Sequence, residues 1–433
     1  MTYAIVTFGC RVNQADSFEF EEGLRMRGAV EAPAEAADLV IVNTCSVTGA
    51  ADQSARRAIR GLSRDNPSAH IVVTGCYATR KPGDLDQLAN VFMVVPNQKK
   101  DGLLRVLDEL FLFGAENQSR IDFAPWESRG KSIRDWFSGQ LAPGAMGRTA
   151  YPLRVQTGCD QTCAFCIIPS TRGPSRSRQV GEIRDEVHRV AAAGYKEVWL
   201  VGVHLGSFGR DLQPATSLVE LLRALDRQPG GTTFRISSLE PMDCPRDVVD
   251  LVARSGRFAP HFHLPLQHAS NRILRAMRRP YTFECYRHLV DQIHARLPHA
   301  SIGSDLIAGF PSESDEDVEM MARALERMPL SYLHVFPYSD RPGTDATAMT
   351  PKVDAAEIKT RARRLRDVAK RLSGRFVASQ VGSVRPGLTL DDGRVVLTDN
   401  FLKVRIPPGL PRNTRVHVRI NSAALDGTVR QTP

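Results

Sequence analysis

The chain has 433 residues, about three times a ~150-residue domain, so it folds as two or three modules rather than around a single core. Hydrophobic residues make up 42% and charged residues 24%, the proportions of an ordinary globular protein, which excludes disordered and membrane-embedded classes. The net charge of +9, from 57 Lys and Arg against 48 Asp and Glu, is compatible with a polyanionic partner, and eight cysteines are too few for a disulfide-stapled scaffold.

The opening MTYAIVTFGC has no positive region followed by an apolar core and a cleavage site, so it reads as a first strand and not as a secretory signal. Apolar runs such as Ala4 to Phe8 and Leu39 to Val42 fall far short of the ~20 residues that span a bilayer. The expectation is a cytoplasmic protein with no membrane association, in which cysteines serve as metal ligands or catalytic thiols. Strand candidates Tyr3 to Phe8, Leu39 to Asn43, His70 to Thr74 and Phe92 to Val95 alternate with helical patterns such as Ala15 to Met26 and Gln53 to Ser63. That alternation predicts an α/β fold, a doubly wound parallel sheet over residues 1–113. Residues 114–150 hold no sustained period and read as a linker.

A second alternating series, with strands Leu153 to Thr157, Glu197 to Val203, Phe234 to Leu239, His261 to Leu264, Ser301 to Ala308 and Ser331 to Phe336, predicts a partial (β/α)6 TIM-like barrel over 151–372. Its active site is expected at the C-terminal ends of the strands. Ala355 to Arg375 is a basic helix, with eight cations against Glu357 and Asp367. From residue 376 the helical period is lost. The short runs Ser383 to Leu388, Arg394 to Thr398, Phe401 to Ile406 and Arg415 to Ile420 predict a small all-β, OB-like module, placed at 373–433. It carries eight cations against four acids, as modules that hold RNA backbones do; a plain solvated β-domain is the competing reading.

Chemistry concentrates on the cysteines. Cys159, Cys163 and Cys166 lie in TGCDQTCAFCIIPSTRG, spaced C-x3-C-x2-C, directly after the first strand of the second series. A zinc site usually takes four ligands, and no fourth cysteine or histidine stands nearby, whereas three thiolates suit a cubane with one iron left open to a small molecule. A structural zinc loop or three buried thiols are the competing readings. Cys10, Cys45 and Cys76 each follow a strand of the first series. Adjacent strands lie ~4.8 Å apart, so thiols on loops at one sheet edge can converge on one cluster, although free cysteines also pack as small hydrophobes.

The run QTGCDQTCAFCIIPSTRGPSRSR resembles the radical S-adenosylmethionine enzymes, and TFGCRVNQADS, NTCSVTGAADQSARRAIR and VTGCYATRKP resemble the N-terminal domain of the methylthiotransferases among them. With a terminal TRAM-like barrel, the resemblance covers nearly the whole chain except the linker. It implies two 4Fe-4S clusters, one on Cys159, Cys163 and Cys166 that works with S-adenosylmethionine to give a 5′-deoxyadenosyl radical, and an auxiliary one on Cys10, Cys45 and Cys76. S-adenosylmethionine then serves as both methyl donor and radical source. GVHLGSFGRDL, RISSLEP, and HFHLPLQ followed by MRRPYT resemble the branch that acts on N6-threonylcarbamoyladenosine in tRNA. Its expected reaction is methylthiolation of C2 of the adenine at position 37, beside the anticodon. The resemblance thus implies tRNA as partner, with an external electron donor and a sulfur source that the residues do not identify. The alternatives are methylthiotransfer to a ribosomal-protein aspartate, or a noncatalytic iron–sulfur protein that binds RNA or senses redox state. His268-Ala269 and Ser312 depart from the family pattern, which commonly has Ser-Gly after PLQ and glycine in the GFP-x-E loop.

Further candidates are Phe165 within the cysteine run, and Gly202, Gly206, Ser237, Glu240, Asp305 and Gly309 at or just past strand ends. Of these, Phe165, Gly202, Ser237, Glu240 and Asp305 are assigned to cofactor binding. Arg172, Arg176 and Arg178 follow the cysteine loop and are candidates to meet phosphate, against ordinary surface charge. His261, His263 and His268 are expected to be satisfied polar residues rather than ligands, because no carboxylate completes a set. Cys244 and Cys285 have no partner spacing, and Cys285, in FECYRHLVDQI, is expected to pack.

Overall fold

The computed structural model describes residues 1–111 and 142–431. The expected linker therefore lies outside the described residues except for 142–150. Two compact units are present: Met1–Leu141 with Gly158–Asp160 and Cys166–Pro174, and the remainder of the chain.

The first unit is a five-stranded, all-parallel sheet of β1 (Thr2–Thr7), β2 (Val30–Glu31), β3 (Leu39–Thr44), β4 (His70–Gly75) and β5 (Val91–Val95), in the order β2-β1-β3-β4-β5. Leu39 to Val42 are fully buried, which is why the central strand reads as a continuous apolar run instead of alternating. Val40, Val42, Ile71 and Val73 face Ala55 and Ile59 of the helix Gly49–Asp65. Leu39, Ile41 and Val72 face Phe20 and Leu24 of the helix Arg11–Met26, with Leu103 and Leu107 of the helix Leu103–Phe111. The edge strand β2, two exposed residues, is too short to carry a period and has no counterpart in the sequence reading.

The second unit begins with β6 (Tyr151–Arg154) and the antiparallel pair β7 (Gln156–Thr157) and β8 (Arg176–Ser177) that brackets the cysteine loop. It continues through β9 (Glu197–Val201), β10 (Thr233–Ile236), β11 (His261–His263), β12 (Ser301–Ala308) and β13 (Tyr332–Pro337). β6, β9 and β10 pair in parallel, as do β11, β12 and β13, and bridges Phe234–Phe258 and Ser238–His263 join the two sets. Six parallel strands thus lie side by side in chain order, the expected partial barrel.

The helix Ala355–Gln380 buries one stripe, Ala362, Leu365, Val368 and Leu372, at helical spacing. It runs five residues beyond the predicted Arg375, because Val377 enters the core of the β-module and the Gln380 side chain accepts from Asn400 at 2.9 Å. Most of its cations are spent on neighbouring acids and carbonyls: Arg361 on Glu313, Asp315 and Glu357, Arg364 on Glu319, Arg371 on Glu326, and Arg375 on the carbonyls of Glu326 and Met328. Lys359 and Arg363 are exposed.

The β-module is an antiparallel sheet of β14 (Val384–Leu390), β15 (Val395–Thr398), β16 (Lys403–Arg405), β17 (Arg415–Ile420) and β18 (Gly427–Gln431), ordered β16-β15-β14-β17-β18. An Arg405–Asp426 bridge joins its two edges. Arg235 of β10 ties module to barrel. Its fully buried guanidinium pairs with Glu197 at 3.1 Å, donates to the carbonyls of Asp399 at 2.8 Å and Thr398 at 3.1 Å, and lies 5.4 Å from the Phe401 ring. No helix among the described residues is long and apolar enough to cross a membrane.

Replacing Arg235 with Met strands the buried Glu197 carboxylate and two carbonyls, and is expected to cost about 3–5 kcal/mol in urea unfolding.

Candidate active site

Cys10, Cys45 and Cys76 come off β1, β3 and β4, which are consecutive neighbours in the sheet. Cys10 caps the helix Arg11–Met26, Cys45 follows β3 directly, and Cys76 opens the helix Cys76–Arg80. Glycine at position 9 has φ +92°, and a Cβ there would fall 2.7 Å from the Cys45 Sγ, so the loop before Cys10 lies directly on that thiol. Gly75, with φ +101°, passes so close to β3 that a Cβ would sit 2.2 Å from the Thr44 carbonyl. Burial, and then the neighbouring Cys10 and Cys76 groups, push the Cys45 thiol up to about 12. Cys45 thus lies close enough to both Cys10 and Cys76 for their charge to bear on its thiol.

Beneath them is a buried polar network that the sequence reading did not find. Asp16 accepts from Lys100 Nζ at 2.8 Å and from Arg172 Nη2 at 3.0 Å. Lys100 also donates to Asn43 Oδ1 at 3.0 Å, and Arg172 donates to Asn13 Oδ1. Asn13 donates to the carbonyls of Phe8 at 2.8 Å and Thr44 at 2.9 Å, holding the ends of β1 and β3. Asn97 Nδ2 lies 3.6 Å from the Cys76 sulfur and donates to the Thr171 carbonyl at 2.9 Å. Burial pulls the Lys100 ammonium below its usual range, against the attraction of Asp16. Arg172 is thus committed to Asp16 rather than presented to phosphate. Arg178 likewise pairs with Glu186 at 2.7 Å, whereas Arg176 is exposed.

The C-x3-C-x2-C loop is fixed from both of its ends. Gly158, with φ +73°, passes so close to Pro174 that a Cβ would sit 1.8 Å from its carbonyl oxygen, and Cys159 N donates to the Gly173 carbonyl at 3.0 Å. Ala164 donates to the Met277 carbonyl at 3.0 Å and accepts from Ala346 N at 2.8 Å. Phe165 packs against Ile273, Met277, Ile307 and Phe310. Cys163 receives Arg279 Nη1 at 3.1 Å, and the same buried guanidinium pairs with Glu240 and donates to Tyr281 Oη at 3.1 Å. Arg279 belongs to MRRPYT, a run marked for its resemblance, but only the fold reveals that it reaches a cysteine.

Among the strand-end candidates, Gly202, Gly206 and Gly309 are required by packing: a Cβ would meet Leu205 at 2.7 Å, Asp243 at 2.0 Å and Ile358 at 2.3 Å. Ser237 follows β10 and is buried, and its hydroxyl has no hydrogen-bond partner among the described residues. Such an orphaned hydroxyl suits a ligand. Asp305 lies inside β12 rather than at its end, and its carboxylate contacts His263 at 3.0 Å and His334 at 3.1 Å. A carboxylate and a further imidazole therefore do join His263, contrary to the sequence expectation. His261 instead meets Tyr332 Oη at 2.8 Å, and His268 is buried beside Glu313 at 3.3 Å. Ser312 adopts φ +66°, the left-handed region that explains why glycine is usual there. Cys244 is buried, while Cys285 is exposed and not packed as expected.

Known proteins resemble this chain over both units. Residues 2–96 match the model of the uncharacterized protein family UPF0004, and residues 153–325 match the radical SAM superfamily. The threonylcarbamoyladenosine tRNA methylthiotransferase MtaB of Aquifex aeolicus is 36% identical over 406 residues, covering 94% of this chain and 96% of the relative. Its namesake in Bacillus subtilis is 33% identical, covering 93% and 90%. The chain belongs to the radical SAM methylthiotransferase family. A tRNA-2-methylthio-N(6)-dimethylallyladenosine synthase from Carboxydothermus hydrogenoformans, 33% identical over 83% of this chain and 81% of the relative, represents another of its branches. The radical S-adenosylmethionine methyltransferase TsrM from Kitasatospora setae, solved with cobalamin and a [4Fe-4S] cluster, shares the fold at a TM-score of 0.55 and 17% identity, over 80% of this chain and 77% of that one. Membership brings a 4Fe-4S cluster and S-adenosylmethionine to this methylthiotransferase.

In cluster-free protein at pH 8, the thiol environments predict that Cys45 alkylates with iodoacetamide at least ~100-fold more slowly than the exposed Cys10, with a rate that keeps rising toward pH 12. Peptide mass spectrometry of timed aliquots measures this.

Proposed function

We propose that this chain is a tRNA methylthiotransferase that converts N6-threonylcarbamoyladenosine at position 37 to its 2-methylthio form, using S-adenosylmethionine as both methyl donor and radical source. The observation that carries the reading is the convergence of Cys10, Cys45 and Cys76 at three adjacent strand ends, in a chain that also holds the C-x3-C-x2-C loop at the head of a partial barrel. The relatives named for this nucleoside, matched over nearly their full length, support the branch.

In this reading Cys159, Cys163 and Cys166 hold the radical cluster, and Cys10, Cys45 and Cys76 hold an auxiliary one. When bound, the first supplies the one-electron chemistry that an unactivated C2–H of adenine requires, and the second supplies a place for sulfur. The chain's own residues prepare both sites. Arg279 offsets the charge of the Cys163 thiolate and holds the Glu240 carboxylate in one orientation. Ser237, with its free hydroxyl, and Glu240 are placed to bind S-adenosylmethionine; Gly202 and Phe165 shape the walls through Leu205 and the Ile273–Met277 cluster. On the other side of the chemistry, Lys100 and Arg172 bring positive charge against the auxiliary thiolates. The β-module and the exposed cations Lys359, Arg363, Lys403 and Arg419 serve tRNA binding. Such an enzyme works in the cytoplasm, with an external reductant and a sulfur source.

Nucleoside mass spectrometry of tRNA from a deletion strain is expected to show loss of 2-methylthio-threonylcarbamoyladenosine and accumulation of its unthiolated precursor. Loss of the 2-methylthio-isopentenyl nucleoside instead would assign the other tRNA branch. Anaerobic reconstitution is expected to give about eight irons per chain. Replacing Cys159, Cys163 and Cys166 together with Ala, or Cys10, Cys45 and Cys76 together, should leave about four in each case and no methylthiolation.

A further inference from the structure

His263, Asp305 and His334 stand on the three neighbouring strands β11, β12 and β13. Register pairs His263 with Gly303, Gly303 with Tyr332, and Asp305 with His334, so alternation sends all three side chains to the same face. One carboxylate oxygen, Asp305 Oδ1, is 3.0 Å from His263 Nε2 and 3.1 Å from His334 Nδ1, and one ligand atom from each residue falls within a 4.8 Å group. Donors that share a metal at ~2.0–2.2 Å sit about 3 Å from one another, and the two separations from Asp305 match that spacing. The ring of His263 is oriented from behind: its other nitrogen, Nδ1, meets Tyr332 Oη at 3.0 Å, and Tyr332 Oη meets His261 Nε2 at 2.8 Å. That is the outer-shell arrangement that fixes the tautomer of a metal-ligating imidazole. Gly303 makes it possible, because any Cβ there would lie 1.9 Å from the Tyr332 ring.

We propose that His263, Asp305 and His334 bind one divalent transition-metal ion of the zinc or ferrous class, a site built from none of the six cluster cysteines. Two imidazoles and one carboxylate suit such ions, while magnesium and calcium prefer all-oxygen shells. The His263 side chain is 11% exposed and Asp305 23%, but His334 is 55% exposed, so the ion is held from one side and keeps positions for water or another ligand.

The test uses the anaerobically reconstituted holoenzyme carrying Cys285→Ser, so that the six cluster cysteines are engaged and no exposed thiol is left free. The protein is incubated with zinc chloride, desalted, and analysed for zinc and iron together by inductively coupled plasma mass spectrometry. This parent is expected to retain one zinc per chain with its iron unchanged. Asp305→Asn and His334→Ala are expected to retain none at the same zinc concentration, and His288→Ala, on an exposed helix face, one. Tyr332→Phe should weaken retention by ~10–100-fold, the usual cost of losing an outer-shell partner. Zinc held equally by the parent, Asp305→Asn and His334→Ala overturns the site. No zinc on the parent, or zinc gained only as cluster iron is lost, overturns it too. His334→Ala, at a half-exposed position, keeps the test open if Asp305→Asn fails to fold.

Discussion

Asp16 is the carboxylate on which the N-terminal unit is organised. It is sealed from water between Lys100 and Arg172, which come from distant points of the sequence, and it fixes where both must lie. Desolvating three charged groups is costly, and an apolar substitute of the same volume would stabilise the fold at least as well. What the apolar substitute would lack is direction. Two fork-like and pointed donors on one carboxylate, with Asn13 and Asn43 completing their shells, set the ends of β1 and β3 and the helix Ile168–Arg172 relative to the cysteines. Two cations against one anion also leave positive charge beside the Cys10 and Cys76 sulfurs.

Burial acts differently on the two cysteine sets. Cys45 and Cys76 are sealed and Cys10 is exposed, whereas Cys159, Cys163 and Cys166 are all half-buried. A thiol as deep as Cys45 is a poor nucleophile until it loses its proton, which burial makes harder. Proximity of the other sulfurs makes each deprotonation after the first harder, a cost that positive charge beside them offsets.

The element order was legible because β-branched runs and helical periods alternate cleanly, and strands such as Ser301–Ala308 and Arg415–Ile420 fall where the pattern puts them. The cysteines were legible because spacing and strand-end position are local properties. What escaped was long-range pairing. Arg172 reads as a phosphate contact or surface charge until Asp16 appears across the fold, and Asp305 and His334 join His263 through strand register, which no local window contains. The two-residue β2 also escaped, being too short to show a period, and the helix Ala355–Gln380 outlasts its charge pattern because tertiary packing at Val377 extends it.

The basic helix Ala355–Gln380 separates formal charge from usable charge. A polyanion gains by releasing the counterions it holds near each phosphate, and only a cation that is not already neutralised can take their place. Arg361, Arg364 and Arg371 are occupied by Glu313, Glu319 and Glu326, so they work as staples between helix and barrel. The +9 of the formula already sets these acids against their cations, so what the ion pairs decide is where positive charge stands open to solvent, at Lys359 and Arg363 rather than along the whole helix.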